Sequence, residues 1–146
     1  MAFLTGVMTT VGRAALAKSF GKLGGNDGSH AAYFRIGTGG YIDTGSGRIP
    51  KDPSEALAEI EAVTGAMFYF EKALTPSDFV FVAPSIIQIR CRLDGIEAND
   101  DGFGEEPEFF ELGIYDDQDV LVAYTTFPQQ TKASNKILTN YVQCYF

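Results

Sequence analysis

Tryptophan is absent from the 146 residues, and the chain has only one histidine and two cysteines. Cys91 and Cys144 lie far apart in strand-like segments and form no CxxC pair, which favours two buried free thiols over a zinc or redox site. No apolar run approaches the ~18 residues of a membrane-spanning helix. The N-terminus lacks a basic segment, and Arg13 interrupts its apolar stretch, which argues against a signal peptide.

Positive charge is also scarce, since 11 Lys and Arg face 19 Asp and Glu for a net charge of −8. Such a surface repels phosphate backbones and anionic lipid, so neither nucleic acid nor a membrane is an expected partner. The length fits a single domain over residues 1–146 that needs no disulfide or structural metal. Twelve Phe, seven Tyr and 16 Gly favour strands and loops over helices.

Two segments are typical of helices. Apolar residues recur at a helical period after Thr9, whose hydroxyl or that of Thr10 can cap the first turn. The residues of this period are Val11, Ala14, Ala15, Leu16 and Phe20. Gly24-Gly25 would end the helix. Asp52-Pro53-Ser54-Glu55 resembles a second helix start, which predicts a short helix over residues 54–63.

Most of the remaining chain is typical of strands. The predicted strands are residues 31–36, 66–70, 79–82, 86–93, 109–115, 120–126 and 137–146. Residues 86–93 alternate between an apolar and a polar face, which indicates a sheet with one solvated side. Residues 1–4 resemble a short apolar tip, and residues 41–51 an exposed loop. The sequence therefore predicts an α+β fold, with an N-terminal helix and a second short helix packed on a mostly antiparallel sheet of about five to seven strands.

The acidic segment from Glu97 to Glu108 offers the most chemistry. Its oxygens fall at positions 1, 3, 5, 9 and 12 of a 12-residue loop with Gly102 at position 6, which is the ligand spacing of an EF-hand calcium site. However, Gly104 replaces the expected apolar anchor, and Pro107 and the strand-like flanks exclude the two helices. A solvated loop that joins two strands is the main interpretation, and a bound cation the alternative.

Other candidates for catalysis or ligand binding are weak. Gly37-Thr38-Gly39-Gly40 follows a strand but lacks the spacing and the following helix of a phosphate loop. His30 is the only histidine, and the sequence contains no nucleophile motif with which it could form a catalytic triad. Arg90 and Arg92 share the polar face of one strand, where we expect them to pair with carboxylates of the same chain. We therefore predict no catalytic residues, no metal or cofactor site, and no enzymatic activity.

The order of the segments resembles the N-terminal domain of tail-collar and tail-fibre proteins of tailed bacteriophages. The residues that carry the resemblance are Leu4-Thr5-Gly6, Arg35-Ile36-Gly37-Thr38-Gly39, Glu111-Leu112-Gly113-Ile114-Tyr115-Asp116, Asp119-Val120-Leu121-Val122-Ala123-Tyr124, Pro128 and Lys132. The glycine loop departs from the family, in which an aspartate usually stands between the first glycines. Residues 41–85 show no match.

The resemblance implies a small α+β attachment domain without enzymatic activity, which fastens a fibre to the baseplate or tail. Family members usually continue into a long fibre shaft, whereas this chain stops at Phe146, so we expect an adaptor, collar or baseplate component. Its partners would be other tail proteins and copies of itself in three- or six-fold symmetry. It would be made in the host cytoplasm and reside in the virion tail.

Assembly of this kind needs surfaces that dock. We expect the hairpin of residues 109–126 to be covered on both faces, by the first helix and by the sheet or another subunit. Residues 142–146 are expected to offer a strand edge for pairing. Two alternatives remain: a small β-rich carbohydrate- or receptor-binding module, if Tyr33, Tyr41, Tyr69 or Tyr124 cluster in an exposed groove, and a metal-dependent hydrolase that uses the acidic loop.

Overall fold

Residues 2–21, 30–52 and 68–146 are described by a computed structural model, and they are mostly β structure. The strands are β1 (Ala2–Met8), β2 (Ala31–Gly37), β3 (Tyr41–Asp43), β4 (Arg48–Pro50), β5 (Tyr69–Ala73), β6 (Phe79–Ala83), β7 (Ile86–Leu93), β8 (Glu108–Asp116), β9 (Leu121–Thr131) and β10 (Leu138–Tyr145). The described residues contain one α-helix, α1 (Thr10–Gly21), and a 3-10 turn at Pro76–Asp78.

Eight of the strands form one curled sheet in the order β5-β2-β8-β9-β1-β10-β7-β6. Neighbours run antiparallel except β1 and β10, which are parallel. The predicted α+β fold on a sheet of five to seven strands is therefore wrong. The first predicted helix is confirmed as α1, and the second, over residues 54–63, lies outside the described residues.

Part of the error in the predicted number of strands comes from β1, which the sequence did not indicate as a strand. Its concave face carries Leu4, Gly6 and Met8, and the central glycine hides the apolar alternation that would indicate a strand. A side chain could not replace it, because a Cβ on Gly6 would lie 3.0 Å from Val142 Cγ1. Contacts with β9 and β10, more than 100 residues away, decide the conformation of this segment.

The predicted loop over residues 41–51 is also wrong in part, because β3 and β4 form a separate two-stranded hairpin there. This hairpin lies on the outer face of β8 and β9. The ring of Tyr41 contacts that of Phe110 with centroids 5.0 Å apart, and the hydroxyl of Thr126 donates to the carbonyl of Lys51.

The helix α1 packs against β9, and its Leu16 lines a cavity together with Ile114 and Ala123 of the concave face. Thr9 caps the helix as predicted, since the Gly12 amide donates to Thr9 Oγ1 at 2.9 Å. The Thr9 hydroxyl in turn donates to the carbonyl of Leu121, and its amide donates to the carbonyl of Val122 at 2.9 Å. The capping residue thus fastens the start of the helix to β9.

Both faces of the β8–β9 pair are therefore buried within one copy of the chain, as predicted, and another subunit is not needed to cover them. The concave face carries the main apolar core. Its buried residues include Phe34, Ile36, Ile89, Leu93, Phe109, Leu112, Ile114, Phe127 and Val142. The expectation that residues 142–146 form a free edge is wrong, because β10 lies between β1 and β7.

Both cysteines lie on this concave face as buried free thiols, as predicted. In the register of β7 and β10, Cys91 faces Asn140 while Cys144 faces Ile87. That offset of four residues corresponds to roughly 13 Å along the strands, which is beyond the ~7 Å between Cα atoms that a disulfide tolerates.

Gly12→Ala tests how closely α1 packs on β9. A Cβ at this position would lie 2.7 Å from Val122 Cα, so the helix has to move away from the strand. We expect a net loss of about 1–2 kcal/mol in unfolding free energy by urea denaturation, after the gain in helix propensity is deducted. Gly47→Ala is the control, because nothing lies within 4 Å of its Cβ. Equal stability of the two variants would contradict this packing.

The two thiols should be inert in the folded protein. Burial raises the pKa of Cys144 to about 11, and burial also holds the pKa of Cys91 well above its usual value. Because the thiolate is the reactive form, a thiol-specific reagent at mildly alkaline pH should modify neither residue until denaturant is added, and then both. Rapid labelling of one thiol in the native protein would show that the concave face is open there.

Candidate docking surface

The edge strand β6 carries the most unusual surface of the described chain. Among the described strands it ends the sheet and pairs only with β7. Val80, Phe81 and Val82 are 53%, 73% and 46% exposed, and residues 79–87 contain no charged side chain. Edge strands usually carry Lys, Pro or other charges that prevent pairing with another chain. A shift of register between Phe81 and Ala83 places one irregularity in β6, but no charge protects it.

The end of β10 extends this apolar surface. The amide of Phe146 donates to the carbonyl of Ser85 at 2.8 Å, which holds the last residue beside the β6–β7 turn. Tyr145 and Phe146 are 49% and 61% exposed. We define the apolar edge as Val80, Phe81, Val82, Tyr145 and Phe146.

A cavity of about 710 Å³ opens beside the apolar edge, and Phe81 and Phe146 belong to its lining. Ile89, Ile114 and Cys144 from the concave core also line it. The lining is almost entirely apolar, so water inside it would find few hydrogen-bond partners. The edge and the cavity form one continuous apolar region.

The position of β6 depends on the 3-10 turn that precedes it. The Asp78 carboxylate accepts from the Thr75 amide at 2.8 Å and from Arg90 Nε at 3.1 Å, so it fastens the turn to β7. Burial alone would raise the pKa of Asp78, but the hydrogen bonds from Thr75 and Arg90 outweigh it and hold the pKa below its usual value. The charged form of Asp78 therefore stabilises the strand connection.

The predicted pairing of the two arginines within the chain is confirmed. Arg90 binds Asp78, and Arg92 Nε lies 2.9 Å from Asp94 Oδ1. Both line a second cavity of about 350 Å³ between β5 and β7. Lys72 of β5 bridges the opening, since its Nζ donates to the carbonyl of Arg92 at 2.9 Å and to Glu97 Oε1 at 2.7 Å.

The acidic loop of residues 97–108 uses its oxygens for contacts within the chain. Lys132, which is fully buried, donates from Nζ to Asn99 Oδ1 at 2.9 Å. Burial lowers the pKa of Lys132, whereas the carboxylates of Glu106 and Glu97 act in the opposite direction. Asp100 and Asp101 each accept from backbone amides of the loop.

These contacts leave the calcium alternative without support from the geometry. Within residues 2–21, 30–52 and 68–146, no three or more His, Cys, Asp or Glu side chains are grouped so that they could hold a metal ion. The oxygens have the sequence spacing of an EF-hand, but sequence spacing does not show the direction in which each side chain points in the fold. In the folded loop, the ammonium of Lys132 binds Asn99 Oδ1, an oxygen that a bound cation would need.

The remaining candidates from the sequence lie in separate places. His30 is exposed, with Nδ1 at 3.7 Å from Asp117 Oδ2. The glycine loop of residues 37–40 packs closely against Glu111 and does not open toward a ligand, because a Cβ on Gly40 would lie 2.6 Å from Glu111 Oε2. Thr38 binds the backbone of Phe68 through both its amide and its hydroxyl.

The four tyrosines do not share one exposed groove. Tyr41 packs on Phe110, whereas Tyr33 and Tyr69 pack against a cluster of the outer face in which Tyr124 is buried. Arg35 occupies the space between these two rings, with its guanidinium 4.8 Å from the Tyr69 centroid and 5.6 Å from the Tyr33 centroid. An intramolecular cation–π contact thus uses ring faces that a sugar would need.

The segments that carry the phage resemblance form four adjacent strands, β2, β8, β9 and β1. Their polar residues support the fold. Tyr124 Oη donates to Glu111 Oε2 at 2.5 Å in the interior, and Asp116 Oδ1 accepts from the amides of Gln118 and Val120 at 2.9 Å each. These residues stabilise the hairpin, so the motif describes a scaffold, and the apolar edge lies outside it.

Comparisons with known proteins leave the family open. No family model matches the chain, and no curated protein or solved structure is significantly similar to it. Among the described residues, no helix is both long and apolar enough to cross a membrane.

Asp78→Asn tests the connection that positions β6. We expect a loss of roughly 2 kcal/mol in unfolding free energy at neutral pH, because a charged acceptor of Thr75 and Arg90 disappears. The folded pKa of Asp78 lies below its usual 3.8, so its contribution is complete above that pH and fades as the pH falls through the folded pKa. Urea denaturation at several pH values should therefore show the difference from wild type shrinking in acid.

Asp43→Asn is the matched control, because Asp43 accepts one amide hydrogen bond in an exposed turn, which an amide oxygen can replace. A constant stability difference for Asp78→Asn across the acidic range would contradict the assignment.

Proposed function

We propose that this protein is a structural component of a bacteriophage tail, as part of the baseplate, the collar or the attachment of a tail fibre. It acts by binding other tail proteins and copies of itself, and performs no catalysis. It is made in the host cytoplasm and works in the virion. The support from the sequence is the order of segments that resembles tail-collar and tail-fibre attachment domains.

The observation that carries the proposal is the apolar edge. An acidic chain with a net charge of −8 keeps an uncharged, largely exposed strand at the end of its sheet. Such an edge is a liability in a free protein and an advantage in a protein that is covered after assembly. The buried, well-satisfied scaffold behind it is suited to hold that surface rigidly.

A carbohydrate- or receptor-binding module is the alternative function. In its favour, Tyr33 and Tyr69 lie near one another on the outer face. Arg35 between them weakens this alternative, because a sugar would have to displace a guanidinium that also binds Glu71 at 2.9 Å.

Immunogold electron microscopy tests the tail assignment. Antibody raised against the chain is applied to purified intact phage particles from a host that produces the protein, and antibody absorbed with the pure protein is the control. We expect label confined to the neck, the baseplate or the fibre attachment point. The assignment would be refuted if the particles carry no label, if mass spectrometry of dissociated particles finds none of the protein, and if free protein is abundant in the lysate. A glycan array would then be the next experiment.

A further inference from the structure

We infer that the cavity of about 710 Å³ binds one unbranched alkyl chain of a small amphiphile, whose polar head group lies at the rim beside His30. The inference is independent of the proposed function, because it rests on the chemistry of an interior site. It also does not depend on which molecule covers the outside of the apolar edge.

The cavity has a closed apolar end and a rim that faces solvent. Ile89 and Cys144 line it and are 3% exposed each, so the concave core closes this end. Phe81 and Phe146 line it with 73% and 61% of their surface exposed, and His30 in the lining is exposed as well. An elongated molecule therefore enters with its apolar part first, because a polar group is costly to bury without a partner.

The lining does not suit a peptide segment. Among the described lining residues, only His30 and Thr75 have side chains with nitrogen or oxygen atoms. The Thr75 hydroxyl already donates to Asp78 Oδ2 at 3.1 Å, which leaves the imidazole of His30 at the rim. An inserted peptide would bring backbone amides and carbonyls that require hydrogen bonds. A hydrocarbon chain has no such groups and avoids that cost.

The volume of the cavity argues against one inserted side chain as its occupant. Ligand pockets of proteins usually enclose roughly 300–1,000 Å³, a range that includes this cavity. An engineered apolar cavity of about 150 Å³ holds a benzene molecule, so one aromatic ring of a partner would leave most of this space empty. A flexible chain of methylene groups can fill an irregular space, as the unbranched side chain of methionine does in protein cores.

Small side chains keep the space open. A curled sheet of eight strands surrounds the concave face, and the interior of an eight-stranded barrel is either filled by side chains or holds one small ligand. Alanine occupies three positions of the lining, which are Ala31, Ala32 and Ala123. Larger apolar residues there would fill the space, so the sequence maintains a cavity where the fold permits a packed core.

Titration calorimetry with linear primary alcohols of increasing length tests whether an alkyl chain binds. These probes are uncharged, so the net charge of −8 does not repel them. Each methylene group that enters the cavity should tighten binding about fourfold. The increments should cease once the chain fills the cavity. Undetectable binding of every alcohol, or an affinity that is independent of chain length, would overturn the inference.

Ala31→Phe tests the place of binding. The added ring occupies the cavity, so it should remove the gain in affinity from the longer chains, with a melting temperature at or above that of the wild type. Ala133→Phe is the matched control, because Ala133 is exposed and precedes the start of β10, whereas the cavity borders the end of β10. It should bind like the wild type. Equal affinities of all three proteins would overturn the inference.

Methyl NMR of the wild-type chain locates the bound alcohol without any variant. Ile87, Ile89 and Ile114 line the cavity, whereas Ile42 and Ile49 lie in the hairpin of β3 and β4. The longest alcohol should shift the methyl signals of the first three residues and leave those of the other two unchanged. Equal shifts at all five residues would indicate adsorption to exposed surfaces and would overturn the inference.

Vesicles of neutral phospholipid distinguish a free amphiphile from a lipid of a bilayer. We expect the protein to stay in solution when the vesicles are sedimented, because the cavity takes up a free chain. Co-sedimentation that Ala31→Phe abolishes would assign the same cavity to an alkyl chain of a bilayer lipid. Co-sedimentation of the wild type and of Ala31→Phe alike, without binding of any alcohol, would overturn the inference.

Discussion

The short connection between β5 and β6 is the constraint on which the architecture depends. These strands are the two edges of an eight-stranded sheet, yet only residues 74–78 join them. A flat sheet of eight strands would hold its edges roughly 33 Å apart, which five residues cannot span. The sheet therefore has to curl, and its concave face becomes the core. The strand β6 remains at the end of the curled sheet with Val80, Phe81 and Val82 exposed, so the same architecture provides the apolar edge as well as the interior.

Several charged residues serve this architecture. Lys72 bridges β5 to β7, Asp78 fastens the turn before β6, and Lys132 holds the acidic loop through Asn99. Burial of a charge is costly unless hydrogen bonds and opposite charges compensate it. The loop oxygens provide that compensation for Lys132. The oxygens that resemble a set of calcium ligands in the sequence therefore bind the loop to the end of β9.

The strands with strong alternation and clear turns could be predicted from sequence. Residues 86–93 match β7, residues 31–36 match β2 within one residue, and the hairpin of β8 and β9 was also evident. The strand β1 could not be predicted, because Gly6 breaks its apolar pattern and its partners lie at the other end of the chain.

The apolar edge could be predicted only in part. The apolar character of β6 is visible in Phe79-Val80-Phe81-Val82-Ala83, but a buried central strand has the same composition. Only the order of strands shows that β6 lies at one edge of the sheet. It also shows that β10, for which we predicted a free edge, is an internal strand.

The position of β1 also affects how the molecule is made. This first strand lies between β9 and β10, which leave the ribosome more than 100 residues after it. The centre of the sheet is therefore incomplete until β10 has been synthesised, and pairings of such large sequence separation form slowly. During that interval Phe3, Leu4 and the neutral β6 are exposed together in a nascent chain. Folding of this sheet is thus expected to await the synthesis of β10 and to benefit from chaperones that shield apolar segments.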